Sequence, residues 1–70
     1  MTTRQLLADR HSIYADSVDE LLVHVPAGFK LVRAAGDKWF WSFGGEASIG
    51  VDSAYEAVGK FLIWWLRGVG

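Results

Sequence analysis

Residues 38–47 read Lys38-Trp39-Phe40-Trp41-Ser42-Phe43-Gly44-Gly45-Glu46-Ala47. Six residues dense in aromatics followed by a glycine pair describe a β-strand running into a tight hairpin. Aromatic rings suit a pleated, half-buried surface, and paired glycines tolerate the positive φ of a two-residue hairpin turn. A weaker strand over Glu46 to Val51 follows. On the other side, Ala35-Gly36-Asp37 is a turn signal, and Phe29 to Ala34 forms the strand before it. Residues 29–51 thus predict a three-stranded antiparallel meander. Side chains alternate between faces, so Trp39, Trp41 and Phe43 share one and Phe40 shares the other with Val32 or Ala34. The pattern leaves open which face is covered.

The segment after the sheet is a helix over 53–67. Ser53-Ala54-Tyr55-Glu56 has the form of a capping box, with Asp52 just before it. Gly68 is a natural C′ residue, and Glu56 and Lys60 have the favourable order of an i, i+4 ion pair. At about 100° per residue, Ala54, Val58, Phe61, Leu62 and Trp65 share a face. Tyr55, Ala57, Trp64 and Leu66 widen it, so only Glu56, Lys60 and Arg67 remain as a polar strip, with Ile63 inside it. Trp41, Phe43, Phe61, Leu62 and Trp65 are the expected core.

The N-terminal part, 3–25, reads as helical. Residues 3–14 start at Thr2 or Thr3 and carry a poor stripe of Leu6, Leu7, Ile13 and Tyr14, broken by Arg10, with a stop near His11-Ser12. The second helix begins at a capping box, Ser17-Val18-Asp19-Glu20. Val18, Leu21, Leu22 and Val25 recur at i, i+3, i+4, i+7, and Pro26 and Gly28 end it. The β-branched Val23 and Val25 also permit a strand. Cap, acidic first turn and periodicity decide for the helix. The fold class is α+β: a three-stranded antiparallel meander packed against a C-terminal helix, with one or two short N-terminal helices, in a single domain over 1–70.

Composition narrows the function. The 70 residues include four Trp, two Tyr and four Phe, carry a net charge of -1 and contain no cysteine. Disulfides, thiol catalysis and cysteine-ligated zinc are excluded. Near-neutral charge argues against a polyanion binder that works by bulk attraction. No apolar run is long enough to span a membrane or serve as a leader, so a cytoplasmic location is expected. A domain this small buries only roughly 60% of its unfolded surface, so aromatic packing or association must substitute for disulfides.

No catalytic set emerges. His11 has Asp9 and Ser12 beside it, but a triad needs spatial convergence. Glu20 and His24, one turn apart, lack third and fourth metal ligands. Gly44-Gly45-Glu46 lacks the Lys and the Ser or Thr of a phosphate loop. No enzyme, cofactor or metal is expected. The apolar excess instead points to a protein contact. Ile63, Trp64 and Leu66, together with Phe40, exceed what one small core absorbs, and tryptophan is enriched at binding hot spots. The candidate partner-binding residues are Phe40, Lys60, Ile63, Trp64 and Arg67. A homodimer completed by the same helix is an alternative, as is membrane-surface attachment by the Trp-Trp helix end.

Two resemblances bear on function. Lys38-Trp39-Phe40-Trp41, then Asp52-Ser53 leading into Glu56-Ala57, is similar to the meander-and-helix layout of AP2-type and integrase arm-type DNA-binding domains. That layout implies nucleic-acid binding through the sheet, with Lys30, Arg33, Lys38 and Trp39 as contacts. The sequence departs from it in cation content, which disfavours a nucleic-acid partner. As a whole, the short cysteine-free chain, its Trp39–Phe43 strand and its capped Ser53–Arg67 helix resemble the small proteins of phages and mobile elements, anti-CRISPR proteins among them. That resemblance implies an inhibitor that occludes a surface of a host protein complex.

Overall fold

The computed structural model describes residues 2–69. Its elements run α1 (Thr3–His11), α2 (Val18–Leu22), β1 (Lys30–Ala34), a 3-10 turn (Ala35–Asp37), β2 (Lys38–Phe43), β3 (Glu46–Ala47) and α3 (Ala54–Val69). The architecture is the expected α+β one. The sheet is an antiparallel meander in the order β1-β2-β3, with Leu31 opposite Trp41 and Val32 opposite Phe40. At the hairpin between β2 and β3, Gly44 and Gly45 both take positive φ, 57° and 86°. Those values suit the primed turn that matches strand twist.

The third strand is shorter than its expected span, Glu46 to Val51. Regular pairing holds for Ser42 with Ala47 and Phe43 with Glu46, and Ser48 N–H still donates to Trp41 O at 3.0 Å. Continued in register, that ladder would set Gly50 opposite Trp39. Val51 stands there instead and exchanges both backbone bonds with Trp39 at 2.8 Å. One extra residue is therefore accommodated as a bulge around Ile49-Gly50, which bends the strand away. The Ser48 side chain helps close the ladder: its Oγ accepts from Trp41 N–H at 3.0 Å.

The helix termini follow their caps, with adjustments. Thr2 and Gln5 form a complete capping box on α1, and α1 ends where expected, at His11. Ser17 Oγ accepts from Glu20 N–H at 3.3 Å. The Glu20 carboxylate overshoots the expected Ser17 N–H and accepts from Asp16 N–H. The second helix stops at Leu22 and not at Val25. Beyond the cap residue Val23, the N–H groups of His24 and Val25 bond three residues back, and Pro26 has no N–H with which to resume the helix. The last helix begins as expected, with Ser53 Oγ accepting from Glu56 N–H at 3.1 Å. It continues past Arg67 through Gly68 to Val69. Glycine permits a left-handed exit without compelling one.

The position of α3 is the main departure. Taken alone, its wide apolar surface suggests an outer helix with an unburied remainder. In the fold it is the central element, contacted by β1 and β2 and by α1 and α2. Gly59 faces Thr3 and Leu7 of α1. Phe61, about 200° further round the helix, meets Phe29, Trp41 and Phe43 with ring centroids 4.5, 4.9 and 5.4 Å away. Helix α3 thus covers the sheet face of Trp41 and Phe43. Most of its apolar circumference is core: Ala57, Val58, Phe61 and Leu62 are buried, and Ile63, Trp65 and Leu66 pack against the core half-buried. The core also recruits Leu7, Ile13, Ala15 and Leu21 from the N-terminal part. Phe43 and Trp65 sit at its margin and not inside it.

Candidate interaction surface

Four of the five candidate residues converge. Lys60, Ile63, Trp64 and Arg67 line one open cleft of about 360 Å³ between α1 and α3, together with Thr3 and Leu6. Their spacing, i, i+3, i+4, i+7, sets them on one helical stripe. Ile63 lines the cleft with Thr3 and Leu6 of α1, whereas the Trp64 ring meets the sheet at Trp41. The Trp64 ring lies 5.1 Å from that of Trp41 and 6.0 Å from that of Phe61, which fixes its inner edge, while 43% of the residue remains exposed. An anchored aromatic with an open outer edge is the kind of group that fills a partner's pocket at little entropic cost.

Phe40, the fifth candidate, does not join them. It lies on the sheet face away from α3, opposite Val32, and is half-buried. The expected grouping of Phe40 with Ile63, Trp64 and Leu66 is therefore corrected: α3 covers only one face of the sheet, and strand alternation turns Phe40 to the other. The apolar excess is also smaller than expected, because Ile63 and Leu66 are partly buried against the core, Ile63 keeping an accessible side that lines the cleft.

Thr3 and Leu6 were missed from the sequence as part of this surface. The poor stripe of α1 gave no reason to dock it on α3. The available signal was Gly59, since a glycine inside a helix costs stability and marks a close backbone approach. At Gly59 an added Cβ would fall well inside contact distance of Thr3 Cγ2. Thr3 is buried there, and its hydroxyl donates to the Glu56 carboxylate.

That bond shapes the electrostatics. Glu56 is drawn to Thr3, and no ion pair joins it to Lys60 among the described residues. The expected i, i+4 pair is thus not formed. Arg67 likewise has no acidic partner among the described residues. Three of the other five cations are neutralised within the chain: Arg4 pairs with Asp16, Arg33 with Asp37 at 2.6 Å, and Lys38 with Asp52, whereas Arg10 and Lys30 also form no ion pair among the described residues. Arg33 also lies over the Trp39 ring, 5.9 Å from its centroid. Among the described residues no three His, Asp or Glu side chains converge as a metal site, and no helix is long and apolar enough to cross a membrane.

Set beside known proteins, the chain matches no family model, no curated protein and no solved structure.

Proposed function

We propose that this chain is a non-enzymatic protein-binding module that occludes a surface of a host protein complex, in the manner of the anti-CRISPR proteins it resembles. The observation that carries the reading is the cleft between α1 and α3. It combines an exposed, pre-positioned tryptophan with a second apolar residue and two cations that form no ion pair among the described residues. Aromatic anchors ringed by polar groups are the usual make-up of a binding hot spot. A sheet-borne nucleic-acid site is less well supported, since Arg33 and Lys38, two of its three cations, are held by Asp37 and Asp52.

The test is affinity capture from the organism that encodes the chain, using the wild type and Trp64→Ala, each verified as folded by circular dichroism. A protein retained by the wild type and lost with Trp64→Ala is the expected result. A partner retained equally by both would move the site elsewhere, and capture of nucleic acid alone would replace the reading.

A further inference from the structure

This inference rests on the docking reading above and specifies the partner's chemistry. We infer that the cleft receives one face of an acidic amphipathic helix, with an apolar pair between two carboxylates matched to Ile63 and Trp64 between Lys60 and Arg67.

The spacing carries the geometric part. Residues 60 and 67 are seven apart on α3, so their backbone positions are separated by about 10 Å along the axis. Another helix laid along this stripe presents its own i, i+3, i+4 and i+7 positions at the same intervals. The cleft, at about 360 Å³, takes apolar side chains from such a face and not the helix itself.

Charge carries the chemical part. The cleft is lined by Thr3, Leu6, Lys60, Ile63, Trp64 and Arg67, with no acidic side chain among them. Glu56, the acid placed four residues before Lys60, accepts a hydrogen bond from Thr3. It stands at the Lys60 end and partly offsets that charge. Arg67 has no acidic neighbour on its own helix, since no acid follows Glu56 in the sequence, and only the partial negative charge of the last helical turn stands beside it. The Arg67 end therefore makes the stronger demand for a carboxylate.

The probe is a display library of helical peptides randomised at eight consecutive helix positions, i to i+7, and selected against the intact protein. The expected outcome is enrichment of acids seven apart with apolar residues at i+3 and i+4. Binding should weaken roughly tenfold with Arg67→Glu, less with Lys60→Glu, and more steeply with rising salt than for a neutral peptide. Arg67 is exposed, so its reversal tests the charge without disturbing the core. Binders that need Trp64 but show no acidic pair would overturn this inference and leave the docking reading intact. An absence of binders sensitive to Trp64→Ala would overturn both. Sedimentation showing self-association abolished by Trp64→Ala would also overturn the inference, in favour of a second copy as occupant.

Discussion

Thr3 and Gly59 hold α1 against α3 at a separation that leaves no room for one more carbon: a Cβ on Gly59 would overlap the Thr3 methyl while meeting Leu7 only at ordinary contact distance. Gly59→Ala therefore sets two effects against each other. Alanine gains about 1 kcal/mol of helix propensity over glycine, and overpacking costs about 1–3 kcal/mol. The expected net result is destabilisation. In the Thr3→Ser background the obstructing methyl is gone and the hydroxyl can still reach Glu56, so the same Gly59→Ala change becomes stabilising. Urea unfolding of the four variants measures this as a coupling energy. Additive effects would show that the contact does not set the helix spacing.

Tyr55 joins the first turn of α3 to the link between α1 and α2. Its hydroxyl donates to Ala15 O at 2.6 Å, and Ala15 is buried. Tyr55→Phe leaves that carbonyl without its donor and should cost about 1 kcal/mol in chemical denaturation. Burial raises the Tyr55 hydroxyl above its ordinary value of 10.0. The folded state thus favours the neutral form, whose contribution is complete below pH 10.0. It is lost as the pH rises from there through the raised folded value. Tyr55→Phe should remove this part of the alkaline stability loss.

Ser12 ends α1 in the left-handed region, φ 55°. The N–H of Ile13 then bonds back to Leu7 O at 3.1 Å and that of Ser12 to Ala8 O at 3.2 Å, the closing pattern that glycine serves best. A side chain in this conformation costs roughly 1–2 kcal/mol, partly offset by the greater unfolded-state freedom of glycine. Ser12→Gly should raise the stability by about 0.5–1 kcal/mol, read as an upward shift of Tm. A lower Tm would show that the serine has another role.

Asp52 and Lys38 tie the start of β2 to the entry of α3. The hydrogen bond from Lys38, and then its charge, hold the Asp52 carboxyl below its ordinary 3.8. The folded state favours the charged form. Its contribution is therefore present at neutral pH and disappears as the pH falls below 3.8 through the lowered folded value. The pair is exposed, so the effect is small and salt-sensitive. Side-chain carboxyl NMR titration should find Asp52 below the ordinary range in the wild type and restored toward it by Lys38→Met.

Legibility in the sequence followed the range of the interactions. The Gly44-Gly45 turn, the serine caps at Ser17 and Ser53 and the order of elements are local, set by φ preferences and by orphan N–H groups within a few residues, and they were readable directly. The end of α2 lies earlier than the apolar period suggests, because Val25 continues that period although the hydrogen bonding has already changed to the three-residue spacing after Leu22. The bulge at Ile49-Gly50 had no clear signal, since a single inserted residue is recognised only once Trp39 and Val51 are paired.

The candidate site divides along the same line. The stripe of Lys60, Ile63, Trp64 and Arg67 follows from helical spacing, and its selection from the excess of apolar residues at that end of the helix. Only the tertiary structure could supply its second wall, Thr3 and Leu6, or separate Phe40 from it. By itself the sequence determined the kind and order of the strands and helices and which of their faces are apolar, because those properties depend on neighbours in the chain. The packing decided that α3 lies between the sheet and the N-terminal helices, absorbing most of the aromatic surplus. That choice depends on contacts such as Thr3 with Gly59 and Phe29 with Phe61, made between residues far apart in sequence, and no local periodicity encodes which apolar face meets which.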